Sequence, residues 1–533
     1  MKLINLIILF SLTHNYYAQI GQNSFRIFPS ATTQTEPVIA IGKTTPQIFF
    51  ASAVTINTTN AFRSEGVYVS TNFGISWFGS DTCKGQSIIN HGGDPGVAVT
   101  SNNRLVLTHI GLVFPGIYSH YSDDLGATWS NAVTITNQQT DDKGATAIDD
   151  NINSQYFGRI YTAFVALVSP YPVLVSYSDN NGESWSIPKV INNQPAARSM
   201  GPTIAIHKNG KIFVAWASIS TQPPFIEDYI NLAVSSDGGN SWDVNNNIFN
   251  VNGILGTFPQ KSNIRVNGLP RIAIDKSNGF RDGWLYIVTT EKNNFPAGSD
   301  PDIILYRSSN SGLSWFTGIR VNQDDFNNGK IQYFPAIDVD QYGGINVIYY
   351  DDRNTSSDSA EIFLSRSTDG GDSWTDRVIS DHRFKPKPII GGSSNYQGDY
   401  ISLISNEKKL YALWMDDYSG IYQIWLKIID LQPTDLNEKF IYSNSNFELR
   451  QNYPNPFNTS TTIEFSLAKS STVKLNVYDI IGSKVASLFN AIAEPGITRI
   501  IFEPKKYLLN SGIYLYKLEV EGDNFFKAMI YLK

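Results

Sequence analysis

Six copies of one short pattern set the limits on how this chain can fold. Ser-x-Asp-x-Gly-x-Ser-Trp runs from Ser235 to Trp242 and from Ser367 to Trp374, and Thr replaces the second Ser from Ser122 to Trp129. Ser70 to Trp77, Ser178 to Trp185 and Ser308 to Trp315 repeat it with Asn72, Asn180 or Asn310 in place of Asp. Recurrence at intervals of roughly 50 to 70 residues is the period of a four-stranded repeat unit, so the chain reads as an array of small sheets. Within a copy, Ser, Asp or Asn, and Gly build a side-chain-bonded turn between two strands, the Gly taking backbone angles that other residues resist. The closing Trp can then lie beneath its own turn, its ring buried and its indole N–H bonded.

A second repeat lies between the copies: EPVIAI from Glu36, DPGVAV from Asp94, KGATAI from Lys143, GPTIAI from Gly201, PRIAI from Pro270, FPAIDV from Phe334 and DYISLI from Asp399. Runs of small and β-branched residues suit the innermost strand of a propeller blade, where sheets crowd about an axis. Second strands follow, such as KIFVAWAS and INVIYYDD, and third strands lead into each turn. Seven first strands against six turns leave the last unit, from Asp399, short of a turn and a fourth strand. The segment from Ser24 is expected to supply that strand and close the ring. The expected fold is all-β: a seven-bladed β-propeller over residues 19–430, with six blades as the alternative. A linker over 431–446 and a small antiparallel β-sandwich over 447–533 follow.

The six turns resemble the Asp box, or BNR repeat, of sialidases and related secreted propellers. The resemblance implies that Asp124, Trp129, Asp237, Trp242, Asp369 and Trp374 serve structure. Asn452-YPNPFN, alternating strands at TTIEFSL and TVKLNVYDIIG, and a final GIYLYKLEVEG resemble the type A C-terminal sorting domain of the type IX secretion system. That resemblance implies export across the outer membrane, with release or attachment at the cell surface, and the secretion machinery as a partner.

Composition narrows the class. The 533 residues carry a net charge of −7 with both signs scattered, and no basic stripe offers a nucleic-acid surface. Apolar residues make up 41% and aromatics 13%, enough for large cores. An apolar run from Leu3 to Leu12 after Lys2, with Ala18 as a cleavage residue, reads as a signal peptide over residues 1–18. The run is shorter than the roughly 20 residues of a membrane span, so no transmembrane anchor is expected. One cysteine, Cys83, excludes an intramolecular disulfide. The chain is expected to be a monomer.

In a propeller, first strands begin on the face where second strands end, and the box turns lie on the opposite face. Glu36, Asp94, Asp142, Lys143, Arg271, Asp399 and Tyr400 are therefore expected around one mouth of the axial channel. Second-strand ends add Tyr350, Asp351, Asp352, Arg353, Trp414, Asp416, Asp417 and Tyr418. Each acid alone reads as a group bonding nearby backbone or an arginine, and Arg353 beside Asp351 and Asp352 as a salt-bridged loop. Together they fit a polar ligand such as an extracellular glycan or glycoprotein.

Sialidases use a Tyr nucleophile and hold the substrate carboxylate with arginines. The resemblance implies Tyr400 as nucleophile assisted by Glu36 or Asp416, Asp94 as acid/base, and Arg271 and Arg353 as the anion clamp with Arg26 or Arg198 as a third arginine. Asp399, Asp351, Asp352, Trp414 and Asp416 complete the expected site. Phe25-Arg26-Ile27-Phe28-Pro29 departs from the family's Phe-Arg-Ile-Pro by an intruding Phe28. The competing class is a non-catalytic scaffold or adhesin that presents a binding face. No cofactor is expected. Asp338-Val-Asp340 with Gly343-Gly344 is a weak run for a structural calcium and reads first as a turn. The six histidines are scattered, with no zinc-site spacing.

Overall fold

The computed structural model describes residues 17–18, 23–57, 59, 62–83, 91–138, 140–192, 198–431, 447–452, 454–467, 469–479, 483–520 and 523–533. The apolar signal run and most of the linker lie outside these residues. The chain divides into two compact units, Met1–Gln432 and Pro433–Lys533. The fold is all-β, with two short 3-10 turns as its helical elements among the described residues.

The first unit contains seven antiparallel sheets of four or more strands and one two-stranded ribbon among its described residues. Each of the seven first-strand repeats lies at or just before the first strand of a sheet. Those strands are Thr33–Ile41, His91–Val99, Asp141–Ile148, Arg198–Ile206, Arg271–Ile274, Gln332–Val339 and Ser402–Asn406. Each first strand contacts the next in chain order, and the seventh returns to the first. Close approach selects small residues: a Cβ on Gly96 would stand 2.2 Å from Thr146 Oγ1 on the neighbouring first strand. The last sheet takes its fourth strand from the N-terminal segment, Phe25 pairing with Leu426 and Arg26 with Trp425.

The six box turns share one hydrogen-bond scheme. The Gly amide, at 74, 126, 182, 239, 312 or 371, donates to the first Ser hydroxyl at 2.8–3.0 Å. The amide two residues later donates to Oδ1 of Asp or Asn at 2.8–3.0 Å. In every turn two successive residues are left-handed, as at Phe73 and Gly74 with φ 60° and 75°, which is why the second is always Gly. Trp77, Trp242 and Trp374 donate to their own Gly carbonyl at 2.9–3.2 Å. Trp185 instead reaches Ser119 Oγ at 2.7 Å. The indole nitrogens of Trp129 and Trp315 are buried without a hydrogen bond, so the expected N–H partner is not universal.

The second unit is built from a three-stranded and a four-stranded sheet. Thr461–Leu467 alternates buried and half-buried positions, the pattern of a strand with one face on a core. Ile463, Phe465 and Phe502 of the smaller sheet share a core with Val473, Leu475, Tyr516 and Leu518 of the larger. No helix of the described residues is long and apolar enough to cross a membrane.

Candidate functional site

The first-strand repeat does more than begin each sheet. At Glu36-Pro37 and Asp94-Pro95 the pairing with the second strand slips, between Thr35 and Val38 and between Gly93 and Gly96. Glu36 has φ 55° and Asp94 φ 52°. A left-handed carboxylate just before a proline is doubly disfavoured, first by its own Cβ and again by the proline ring. A bulge of this kind re-aims one side chain out of the strand's alternation. The same left-handed bulge recurs at Gly201-Pro202 and Phe334-Pro335, so it belongs to the repeat, and at positions 36 and 94 it carries a carboxylate.

These carboxylates share a neighbourhood with Arg271, which opens the first strand of the fifth sheet, and with Tyr396, Asp399 and Tyr400. The Arg271 guanidinium lies over the Tyr400 ring, 5.3 Å from its centroid. Burial pushes the Arg271 side chain below its usual range, while Tyr400, Asp399, Asp94 and Glu36 act in the opposite direction. Burial holds the Tyr400 phenol well above its ordinary value, aided by Glu36, Asp94 and Tyr396 and opposed by Arg271. Tyr396, whose side-chain hydrogen-bond partner is Glu36, is raised in the same way, burial leading. Both tyrosines are therefore neutral proton donors at ordinary pH.

Thr35 Oγ1 donates to the Gln397 carbonyl at 2.6 Å, which ties the Tyr396–Tyr400 segment to the first strand beneath Glu36. Gly398 permits this: φ is 117°, and a Cβ would stand 2.3 Å from Thr35 Oγ1 and 2.5 Å from Met415 Cε. Sequence reasoning missed Tyr396 and Arg265. Arg265 lies on the two-stranded ribbon, bonds the Asp399 carboxylate through Nε at 3.3 Å and through Nη2, and sits over Tyr396 at 5.2 Å. Asn267 donates to Asp399 Oδ1 at 3.3 Å. Asp399 thus anchors the ribbon beside the cluster.

The other expected site residues have partners elsewhere. Arg353 bonds Asp351 at 2.7 Å and Asp376 at 2.7 Å, and its guanidinium covers the Phe363 ring at 4.3 Å. Burial raises the Asp351 carboxyl to about 6, against the pull of Arg353. Asp352 pairs with the buried Lys261 at 2.9 Å and accepts the Ile331 amide at 2.7 Å. Trp414 donates its indole N–H to Asp416 Oδ2 at 2.7 Å, and the same oxygen meets His382 Nε2 at 2.8 Å. Tyr418 is exposed and stacks on His382 at 4.1 Å. Arg26 lies on the outermost strand of the last sheet, three strand spacings or about 14 Å from that sheet's first strand, so it stands apart from the first-strand residues. Arg198 opens the first strand of the fourth sheet, where it approaches Met200 Sδ at 3.8 Å. The Lys143 side chain lies outside the described set.

The expectation of scattered histidines is corrected. His91, His109 and His120 come from three adjacent strands of the second sheet and bring one nitrogen each within 4.8 Å of the others. Their rings stack, His91 on His109 at 4.2 Å and His109 on His120 at 5.3 Å. Glu65, from the first sheet, approaches His91 Nδ1 at 2.5 Å. Burial raises Glu65 to about 7 and lowers His91 to about 4, His109 to about 3 and His120 to about 4. The calcium-like run is the hairpin turn of the sixth sheet: Asp340 accepts the Tyr342 and Gly344 amides and pairs with Arg366 at 2.5 Å.

Residues 451–531 match the family model of the secretion system C-terminal sorting domain. The C-terminal unit is therefore an export address, and the protein is directed to the cell surface or beyond it. No curated protein sequence matches the chain. Among solved structures, it resembles a polysaccharide lyase of family PL25, an ulvan lyase, with TM-score 0.50 and 11% identity over 77% of this chain and 96% of that one. A leech intramolecular trans-sialidase gives TM-score 0.41 and 11% identity over 68% of this chain and 70% of that one. The α-L-arabinofuranosidase of Fusarium graminearum gives 0.40 and 13% over 63% and 92%. At such identities the likeness to the ulvan lyase is one of fold.

Proposed function

We propose that this chain is an exported seven-bladed β-propeller of Asp-box type whose mouth binds an acidic glycan and cleaves it. The observation that carries the reading is the convergence of Glu36, Asp94, Arg271 and Tyr400, two of them on left-handed bulges at first-strand starts. Arg271, partly buried and surrounded by acids, is the anchor for a substrate carboxylate. In the hydrolytic reading, Glu36 takes the phenol proton as Tyr400 attacks the anomeric carbon, and Asp94 gives a proton to the leaving oxygen. Tyr396 positions Glu36, and the Arg265–Asp399 pair holds the wall. The ring of first-strand contacts and the N-terminal strand in the last sheet support seven blades.

One observation favours a second reading. Burial keeps Tyr400 and Tyr396 neutral, which suits a proton donor in β-elimination better than a nucleophile. Glu36 or Asp94 would then take the proton beside a uronate carboxylate held by Arg271, and Tyr400 would protonate the leaving oxygen. The ulvan lyase that shares the fold has been solved with a glucuronate-containing sugar bound.

A panel of sialylated and uronate-containing glycans tests both. New reducing ends with an unsaturated, ultraviolet-absorbing product identify elimination, and reducing ends without it identify hydrolysis. Tyr400→Phe should abolish either, and Arg271→Ala should weaken binding of acidic glycans at least tenfold. Binding without cleavage across the panel would leave the scaffold or adhesin reading in place, and acidic glycans bound equally well by wild type and Arg271→Ala would overturn the anchor.

A further inference from the structure

Five buried polar atoms between the first and second sheets lack a hydrogen bond: Glu65 Oε1 and Oε2, His91 Nδ1, His109 Nε2 and His120 Nε2. Glu65, His91, His109 and His120 are at most 2% exposed. Buried polar atoms are almost always paired, so five orphans in one cluster call for a missing partner. A hydrogen bond between His91 and Glu65 does not resolve this, because their 2.5 Å approach lacks the angle that one needs.

The two best-defined imidazoles are already oriented. His109 Nδ1 faces the Ile110 carbonyl at 2.8 Å, and His120 Nδ1 faces the Ser130 carbonyl at 2.9 Å. A nitrogen that faces a carbonyl must carry the proton, so Nε2 of each ring presents its lone pair. Backbone carbonyls that fix the tautomer in this way are the usual outer partners of metal-binding histidines. Asp and Glu dominate calcium and magnesium sites, whereas three imidazoles and one carboxylate suit zinc and its late first-row neighbours.

We infer that His91, His109, His120 and Glu65 form a closed four-ligand site for a zinc-class divalent cation, which clamps the third strand of the first sheet to the second sheet. The ion gives the buried Glu65 carboxylate a counter-charge and each orphan nitrogen a partner. Four protein ligands leave no open position, so the role is structural. Ligands at about 2.0–2.1 Å in a tetrahedron stand about 3.3 Å apart, so the nitrogens, now within 4.8 Å of one another, close by up to about 1.5 Å on binding, and a Glu65 oxygen, outside that set of three, moves in with them. The rings must also turn from their stacked arrangement toward a common point. The nitrogen set is invisible as a sequence motif because three separate strands supply it.

The test uses the full chain produced in medium whose only added transition metal is Co(II), a visible reporter of zinc sites. The expected result is one Co(II) per chain retained through gel filtration, with the intense visible bands of a four-coordinate ion. His109→Gln and His120→Gln should each reduce retention at least tenfold, and His207→Gln, elsewhere in the unit, should leave it unchanged. Glu65→Gln preserves the side-chain shape and should shift the cobalt bands if the other variants fail to fold. A folded wild-type chain without cobalt, weakly absorbing six-coordinate cobalt, or full retention in both histidine variants would overturn the site.

Discussion

Phe25 pairs with Leu426, so a strand ahead of the first sheet's own first strand meets the last strand of the unit in one sheet. The strand is only two residues long, yet Phe25 and Ile27 are 6% and 1% exposed in the core of that sheet, and the Ile27 amide donates to the Ile424 carbonyl at 3.1 Å. Phe25→Ala should lower stability by about 3–5 kcal/mol, the cost of emptying a buried aromatic site. Urea unfolding with an unchanged slope would report it. A loss under about 1 kcal/mol would mean that the last sheet stands without its borrowed strand.

Gly398 carries a constraint of a different kind. Its φ of 117° and the 2.3 Å approach of Thr35 Oγ1 to a notional Cβ leave no room for a side chain. Gly398→Ala must displace the Tyr396–Tyr400 segment from Glu36, and we expect about 1–3 kcal/mol of destabilisation. Glycan binding should fall further than stability does. Equal binding by the folded variant would show that Tyr396 and Tyr400 need not stand where they do.

The box carboxylates predict a pH signature. Hydrogen bonds from the Ser241 side chain and amide hold Asp237 down at about 2. Because the folded value lies below the unfolded one near 3.8, the contribution is complete above that value and disappears as pH falls through about 2. Asp237→Ala should therefore cost about 1 kcal/mol at neutral pH and progressively less as pH falls toward 2, with glycan binding intact. A loss of binding in this variant would contradict the placement of the boxes away from the mouth.

How much of this was legible in the sequence depends on whether a residue repeats. Glu36, Asp94, Arg271 and Tyr400 could be named together because each lies in a copy of the first-strand repeat, within three residues of the start of its strand, and that repeat occurs seven times. Tyr396 and Arg265 carry no such mark, since the ribbon that holds Arg265 has no counterpart among the described residues and Tyr396 is placed by the Thr35–Gln397 bond. Arg26 misled because its neighbours imitate a sialidase segment while pairing with Trp425 fixes it on an outer strand. The histidines depend on register: His91 lies opposite Gly111, His109 opposite Tyr118 and His120 opposite Leu107, which sets all three on one face. Spacing along the chain cannot reveal that.

The same cluster makes a prediction for the metal-free protein. Burial lowers His91 to about 4, His109 to about 3 and His120 to about 4 from an ordinary 6.5. Below 6.5 the unfolded chain takes up protons that the folded cluster refuses, so this contribution is complete above 6.5 and is lost as pH falls toward 4. Glu65 works in the opposite sense. Burial raises it from 4.5 to about 7, so its contribution is present below 4.5 and is lost as pH rises through about 7. Three imidazoles outweigh one carboxyl between pH 4 and 6.5, and acidification in that window should destabilise the fold. Urea midpoints of chelator-treated protein at pH 7 and pH 5 measure the sum, and His120→Gln, with one imidazole fewer, should show a smaller difference. An equal difference in wild type and variant would mean that the acid sensitivity arises elsewhere in the chain.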